Sequence, residues 1–193
     1  MEIFPISLKL QKQRCLIVGG GHIAYRKANL LVKAGAIVDV IAPEIEPELR
    51  QLVEQSTGQY IQAPFSDSIL ATPYRLVIAA TDQPDVNKAV FEQCEARNLL
   101  VNSVDDIPHC RFMVPAIIDR SPLVVSVASN GASPVLSRQL RTQIETIVPH
   151  GMGKLAEFSG QWRKQVKAKI ANPDERRIFW ENLYNSPLKE QVF

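Results

Sequence analysis

Residues Cys15–Glu44 read CLIVGGGHIAYRKANLLVKAGAIVDVIAPE. An apolar run ends in three glycines, a helix-like pattern follows, and a second apolar run closes the stretch. Arg14–Val18 is expected as a short strand, and Ile23 to Lys33 carries Ile23, Ala24, Ala28 and Leu31 at helical spacing. Gly35 is suited to end that helix, and Ile37–Ala42 forms the next strand. Between strand and helix, Gly19-Gly20-Gly21-His22-Ile23-Ala24 fits G-x-G-x-x-[GA]. The first glycine permits the tight turn, Gly21 lets a pyrophosphate approach the backbone, and Ala24 is small enough for the helix to pack on the strand. The helix opening near His22 aims its free N–H groups and positive dipole end at phosphates. Because the motif follows a strand, opens a helix and leads into a second strand, it predicts a dinucleotide site. The plainer alternative is a turn that only lets helix and sheet pack.

The carboxylate that usually ends the second strand and binds the ribose is missing: the slot falls on Ala42, and Asp39 lies mid-strand, where a structural role is expected. Glu44, two residues on, is placed to reach the ribose hydroxyls. No Arg or Lys occupies 42–44 to clamp a 2′-phosphate, which favours NAD over NADP. Ala79-Ala80-Thr81-Asp82 closes a later strand, where small residues leave room for the nicotinamide ribose; Asp82 is as well placed to cap the helix after Pro84. The expected cofactor contacts are Gly19, Gly21, His22, Ile23, Pro43, Glu44 and Thr81.

Further along, Glu44 to about Gln55 reads as a helix, Tyr60–Gln62 as a weak strand, Arg75–Ala80 as a buried strand, Pro84–Arg97 as a helix and Leu99–Val104 as a strand. This alternation indicates an α/β, Rossmann-type, doubly wound parallel sheet, since parallel strands need helical crossovers. The pattern then changes. Phe112–Ile118 and Leu123–Ala128 are β-rich runs around an Asp119–Pro122 turn, a hairpin in a separate small layer. Ser133-Pro134 starts a helix, with serine as N-cap and proline at the first helical position. From Gly151 the chain is charged and helical, with Phe158, Trp162, Val166 and Ile170 on one face; Pro173 breaks it and a last helix follows. The resulting division is 1–111, 112–147 and 148–193.

The chain has 193 residues, 46% of them apolar, and 22 basic against 20 acidic side chains. That is enough to bury a core and carries no dense basic face for nucleic acid. Three scattered cysteines, Cys15, Cys94 and Cys110, argue against a disulfide framework or a zinc site and for a reducing compartment. No apolar run approaches a membrane span. No Cys/His cluster predicts a stable metal site. A cytoplasmic protein is expected.

In combination, FPISLKL at Phe4–Leu10, CLIVGGG at Cys15–Gly21, RKANLLVKAGA at Arg26–Ala36, VIAATD at Val77–Asp82, VNSVDD at Val101–Asp106 and FMVPAIIDRSPLVVSVASNGASPVLSRQLR at Phe112–Arg141 resemble the precorrin-2 dehydrogenase/sirohydrochlorin ferrochelatase family, the siroheme synthase N-terminal module. The resemblance implies a homodimer in which an NAD domain is followed by a dimerisation hairpin and a helical tetrapyrrole-binding part, with the active site in a cleft between them. It implies NAD-dependent oxidation of precorrin-2 to sirohydrochlorin, followed in many members by insertion of Fe²⁺, here a substrate, to give siroheme. A chain ending at Phe193 reads as the stand-alone form.

Asp105 matches the family's catalytic aspartate and would serve as base for both steps. Asp106 is the runner-up, and either could instead only cap the turn before Pro108. His109 reads as an exposed loop histidine that could shuttle protons. A substrate with eight carboxylates calls for donors, which Ser129, Asn130, Ser133, Arg138 and Arg141 supply; Ser129 aligns with a serine phosphorylated in a relative. The basic face of Arg163, Lys164, Lys167 and Lys169 could help or simply be solvated, and Trp162 and Trp180 fit helix packing. Two rival readings remain: a dehydrogenase without chelatase activity, and a non-catalytic NAD sensor, which would have no use for the later hairpin stretch or a base at Asp105.

Overall fold

The computed structural model describes residues 1–186. It divides into two compact units, Met1–Met113 and the part from Val114 onward.

The first unit is a parallel sheet of β1 (Arg14–Val18), β2 (Ile37–Ile41), β3 (Tyr60–Ile61), β4 (Leu76–Ala79) and β5 (Leu100–Ser103), in the order β3-β2-β1-β4-β5. Its crossovers include α1 (His22–Lys33), α2 (Pro47–Gln55) and α3 (Pro84–Glu95). Strand alternation sends Cys15, Ile17, Val38, Val40 and Ile78 to one face, against Ala24, Ala28 and Leu31 of α1 and Leu49 and Val53 of α2. Leu16, Val18, Val77, Ala79 and Val101 face Val90 and Cys94 of α3. Strands covered on both faces read as unbroken apolar runs, which is why β1 and β4 were legible. The winding reverses between β1 and β4, where such sheets open a crevice at their carboxyl ends.

Two boundaries differ from expectation. Helix α2 starts at Pro47, not Glu44, because residues 43–46 fold back over the glycine turn: the Glu46 N–H donates to the Gly20 carbonyl at 2.9 Å, and proline takes the first helical position. Phe112–Pro115 is not strand. Asn102 of β5 pairs with Cys110 and donates through Nδ2 to the Phe112 carbonyl at 3.0 Å, so Phe112 is tied to the sheet edge of the first unit.

Asp39 is structural. It is buried, sits 2.6 Å from Arg14 Nη1, and accepts from the Gln59 N–H at 2.9 Å and the Tyr74 hydroxyl at 3.1 Å. Burial, and then the Asp39 charge, pushes the Tyr74 phenol from 10.0 up to about 12. A phenol harder to ionise folded than unfolded leaves stability intact below its unfolded value and removes it as pH rises through the folded one. Burial likewise lifts the Cys15 and Cys94 thiols from 9.0 to about 11. Urea midpoints are therefore expected to fall between pH 9 and 12. Tyr74→Phe should cost about 1 kcal/mol at neutral pH through the lost hydrogen bond and flatten the upper part of that fall. An unchanged alkaline slope would contradict this.

The second unit pairs β6 (Ala116–Arg120) with β7 (Leu123–Val127) as an antiparallel hairpin. The turn is shorter than expected because Asp119 and Arg120 stay in the ladder; Asp119 Oδ1 accepts from the Ser121 N–H at 2.9 Å and hydroxyl at 2.6 Å. Helix α4 (Pro134–Ile147) has the anticipated cap, Ser133 Oγ accepting from the Leu136 N–H. Arg120 and Arg141 converge on Glu145, at 3.1 and 2.8 Å, tying the hairpin to α4. Helix α5 (Gly151–Lys169) stops one residue before Ile170, and the expected break before a last helix is there, with Pro173 itself opening α6 (Pro173–Asn185). Its missing N–H costs nothing at a first helical position.

Candidate active site

The glycine turn lies at the carboxyl end of β1, and its three glycines meet different demands. Gly19 has φ +120°, and a Cβ there would stand 2.4 Å from the Ala80 carbonyl oxygen after β4. A Cβ on Gly20 would stand 1.9 Å from the Glu44 carbonyl oxygen. Gly21 has nothing within 4 Å of its Cβ position. The first two glycines close the turn against its neighbours, while the third leaves open space above α1. Gly21 is the N-cap of α1 and offers no side-chain cap, and the first turn of α1 carries no acidic residue. Its unpaired N–H groups and dipole end suit an anion.

A cavity of about 850 Å³ opens over this turn, and Gly19, Gly21, His22, Ile23, Pro43, Glu44 and Thr81 all line it. These seven come from the ends of β1, β2 and β4, which the strand order makes neighbours. The cavity falls within the size range of small-molecule sites. A dinucleotide fits the bare Gly21 backbone, the uncapped helix end and this volume.

The hydroxyl of Thr81 lies 2.7 Å from Asn87 Oδ1, and Asn87 Nδ2 donates to the Thr81 carbonyl at 3.0 Å. This buried asparagine fixes the turn after β4, a role the sequence reading missed. Its one signal was a polar residue in the stripe Asn87, Val90, Cys94 on α3. Asp82 does not cap α3; Gln83 takes that position, without a side-chain bond.

Asp105 follows β5 on the same edge and has a left-handed backbone, φ +60°. Its carboxylate takes no hydrogen bond among the described residues, and its side of the sheet is shared by Lys27 of α1. Burial, then Arg26, lowers the Lys27 pKa, while the charges of Asp105 and Cys110 oppose that shift. One strand, β4, separates β5 from β1, a span of roughly 10 Å at the usual strand spacing. Asp106 is engaged elsewhere: its carboxylate lies 2.6 Å from His109 Nδ1. His109 is half-buried, with its ring edge-on to Phe91 at 4.9 Å, rather than an exposed loop residue. The Cys110 thiol lies 3.1 Å from the Ser103 carbonyl and 3.2 Å from that of Asp106, fastening the turn from inside. Burial is the main cause that raises its pKa.

In the second unit, Ser129 Oγ accepts from the Ser133 N–H at 3.1 Å and the Ser137 hydroxyl at 2.9 Å. Asn130 and Gly131, at φ +51° and +76°, turn the chain into α4. Ser129, Asn130 and Ser133 thus form one tight cluster at the helix entrance. Arg141 donates to the Ile117 carbonyl at 3.2 Å and pairs with Glu145, whereas Arg138 is exposed and forms no ion pair among the described residues. The two arginines are not equivalent donors.

A family model described as putative NAD(P)-binding matches residues 6–116, more than half of the 193-residue chain. The chain belongs to this NAD(P)-binding family. A second model, the sirohaem synthase dimerisation region, matches residues 151–193. The chain is 80% identical over 193 residues to the siroheme synthase of Acinetobacter baylyi and 49% identical over 192 residues to that of Chromobacterium violaceum. Both alignments cover all of this chain but only 42% and 41% of those proteins, so the chain spans about two fifths of the relatives it matches. The solved structure of SirC, precorrin-2 dehydrogenase, superposes with a TM-score of 0.80 at 20% identity, covering 98% of this chain and 96% of that one. At that identity the likeness establishes the fold. Among the described residues, no helix is long and apolar enough to cross a membrane, and no group of three or more His, Cys, Asp and Glu could hold a metal ion.

Proposed function

We propose that this chain carries the NAD-dependent oxidation of precorrin-2 to sirohydrochlorin in siroheme formation. The observation that carries the reading is the common edge of the first unit. A nucleotide-sized cavity over a bare Gly21 and the carboxylate of Asp105, without a hydrogen-bond partner among the described residues, stand two strand positions apart. The close relation to siroheme synthases along the whole chain supports a tetrapyrrole of siroheme formation as the substrate.

Bound NAD supplies the hydride acceptor. The chain's own residues bind and orient it and take the proton. The amino end of α1 would hold the pyrophosphate, and the packed Gly19–Gly20 backbone fixes where that end points. Glu44, which lines the cavity past β2, would hold the ribose hydroxyls. Asp105 accepts the proton released as the macrocycle loses a hydride; base catalysis of this kind contributes roughly 10²–10⁴-fold. Ser129, Asn130, Ser133 and Arg138 are the proposed carboxylate donors, and Arg141 acts chiefly by holding β6 to α4.

The match to a dimerisation region supports a homodimer, as do Val135, Leu136, Leu140 and Ile147, large apolar side chains exposed along α4.

Past β2, the cavity is lined by Glu44 and Glu46 and, among the described residues, by no Lys or Arg. A 2′-phosphate there meets like charge, so NAD is expected to bind roughly tenfold or more tightly than NADP by calorimetry. The test of the reaction is anaerobic. Protein, precorrin-2 and NAD⁺ should give NADH and the sirohydrochlorin spectrum; NAD binding without turnover would sink the proposal in favour of a sensor. Adding Fe²⁺ afterwards separates oxidation alone from oxidation followed by chelation.

A further inference from the structure

Lys27 is out of place by residue type. It lies three residues after Ala24 and four before Leu31, on the stripe that α1 turns to the sheet, and it is half-buried there. A cation withdrawn from water calls for an opposite charge, yet Lys27 forms no ion pair among the described residues. The carboxyl end of β5 offers acceptors on the same side. Leu100 and Val104 pack against the cluster that holds Ala24, Ala28 and Leu31, so Asn102 between them faces α1 as well. Its Nδ2 is engaged, with the Phe112 carbonyl at 3.0 Å and the Cys110 sulfur at 3.3 Å. Its Oδ1 is buried and has no partner among the described residues. Asp105 comes directly after Val104, and its carboxylate too takes no hydrogen bond among the described residues. All of these groups belong to the first unit.

Burial, then Arg26, works against the charged form of Lys27, and Asp105, then Cys110, works for it. Arg26 is exposed. Burial pushes the Cys110 thiol up, so it is neutral near pH 7, and the neighbouring Asp106 carboxylate is held by His109 at 2.6 Å. The other elements against α1 supply no anion. Cys15 of β1 is a thiol raised to about 11 by burial. Asp39 of β2 is on the opposite face of the sheet, paired with Arg14. On α2, Glu54 pairs with Arg50 and Glu48 is exposed. The Asp105 carboxylate is therefore the anion that answers Lys27, and an ammonium with three protons to give can serve Asn102 Oδ1 as well. We propose that Lys27 is a positioning residue for Asp105, a half-buried counter-charge on α1 that holds the carboxylate in its ionised, proton-accepting form. The proposal rests on the reading of Asp105 as the base and names what keeps that base ready.

The test reads Asp105 directly. In protein labelled with ¹³C-aspartate, the Asp105 Cγ resonance is assigned by its loss in Asp105→Asn and followed against pH. In Lys27→Gln its midpoint should move up by roughly one pH unit. In Lys27→Arg, which keeps the charge, it should stay close to that of the unaltered protein. Lys33→Gln is the control: it removes the same charge from an exposed position in the last turn of α1, roughly 9 Å further along the axis, and should move the midpoint little. Should Lys27→Gln fail to fold, Lys27→Met removes the charge and keeps the apolar stem. The acid limb of single-turnover NADH formation should move up with the resonance in Lys27→Gln and return in Lys27→Arg, with NAD affinity unchanged. A residue that only packs would lower the urea midpoint and leave the Asp105 titration where it was, which overturns the proposal, as does an equal shift in Lys33→Gln. The resonance also separates this proposal from the reaction. A shifted midpoint in a protein that never forms NADH supports the Lys27–Asp105 coupling and counts against the oxidation. An unmoved midpoint in an active enzyme removes Lys27 and leaves the oxidation standing.

Discussion

Asp105→Asn is expected to lower the rate of precorrin-2 oxidation by roughly 10²–10⁴-fold while leaving NAD affinity and melting temperature near those of the unaltered protein. Asparagine is the right replacement for a structural reason. Asp105 has φ +60°, a conformation that asparagine tolerates and that costs most other residues on the order of 1–2 kcal/mol. Asp105→Ala would add that strain to the loss of the carboxylate and blur the result. The neighbouring Asp106→Asn is the matching control, since its carboxylate is held by His109 at 2.6 Å. It should loosen the Ile107–His109 turn and lower stability while retaining most of the turnover. Single-turnover NADH formation, followed anaerobically with each variant, separates the two. Full activity in Asp105→Asn, or equal losses in both variants, would remove Asp105 as the base.

What the sequence made legible was whatever depends on local chemistry and strand period. The buried strands β1 and β4, the glycine turn and the Ser133 cap follow from side chains within a few residues of each other. The proposed cofactor contacts were legible as neighbours for a topological reason: all sit at carboxyl ends of parallel strands, so the order β3-β2-β1-β4-β5 brings them to one edge whatever the loop details. What stayed hidden depends on partners distant in sequence. The start of α2 moved because Glu46 is drawn to Gly20, and the start of β6 moved because Asn102 holds Phe112. Lys27 looked like any basic residue on an amphipathic helix until folding half-buried it within electrostatic reach of Asp105 and Cys110. The serine-rich entrance to α4 read as a set of loose donors. Its hydroxyls already bond one another and the helix backbone, so any ligand there meets an ordered cluster.

The glycine turn offers the sharpest separation of binding from folding, because its second and third glycines fail in opposite ways. In Gly21→Ala the new methyl meets no protein atom within 4 Å, and Gly21 does not need a left-handed backbone. Melting temperature should therefore stay close to that of the unaltered protein. The same methyl enters the space where a pyrophosphate approaches the backbone, so NAD affinity should fall by roughly 100-fold or more, the loss of about two charge-assisted hydrogen bonds. In Gly20→Ala the methyl would stand 1.9 Å from the Glu44 carbonyl oxygen, a backbone atom that cannot rotate away. The loop that donates from Glu46 to Gly20 must then shift as a whole, at a cost of roughly 3 kcal/mol or more, and the urea midpoint drops with or without nucleotide. Calorimetric NAD titration and urea unfolding of both variants give a two-by-two outcome. If Gly21→Ala binds NAD normally while Gly20→Ala unfolds, the turn is a packing device and the cavity above it is not a nucleotide site. If both bind and fold normally, neither role assigned to the turn survives. Only loss of binding without loss of stability at Gly21, together with loss of stability at Gly20, fits a backbone shaped by its neighbours on one side and by a phosphate on the other.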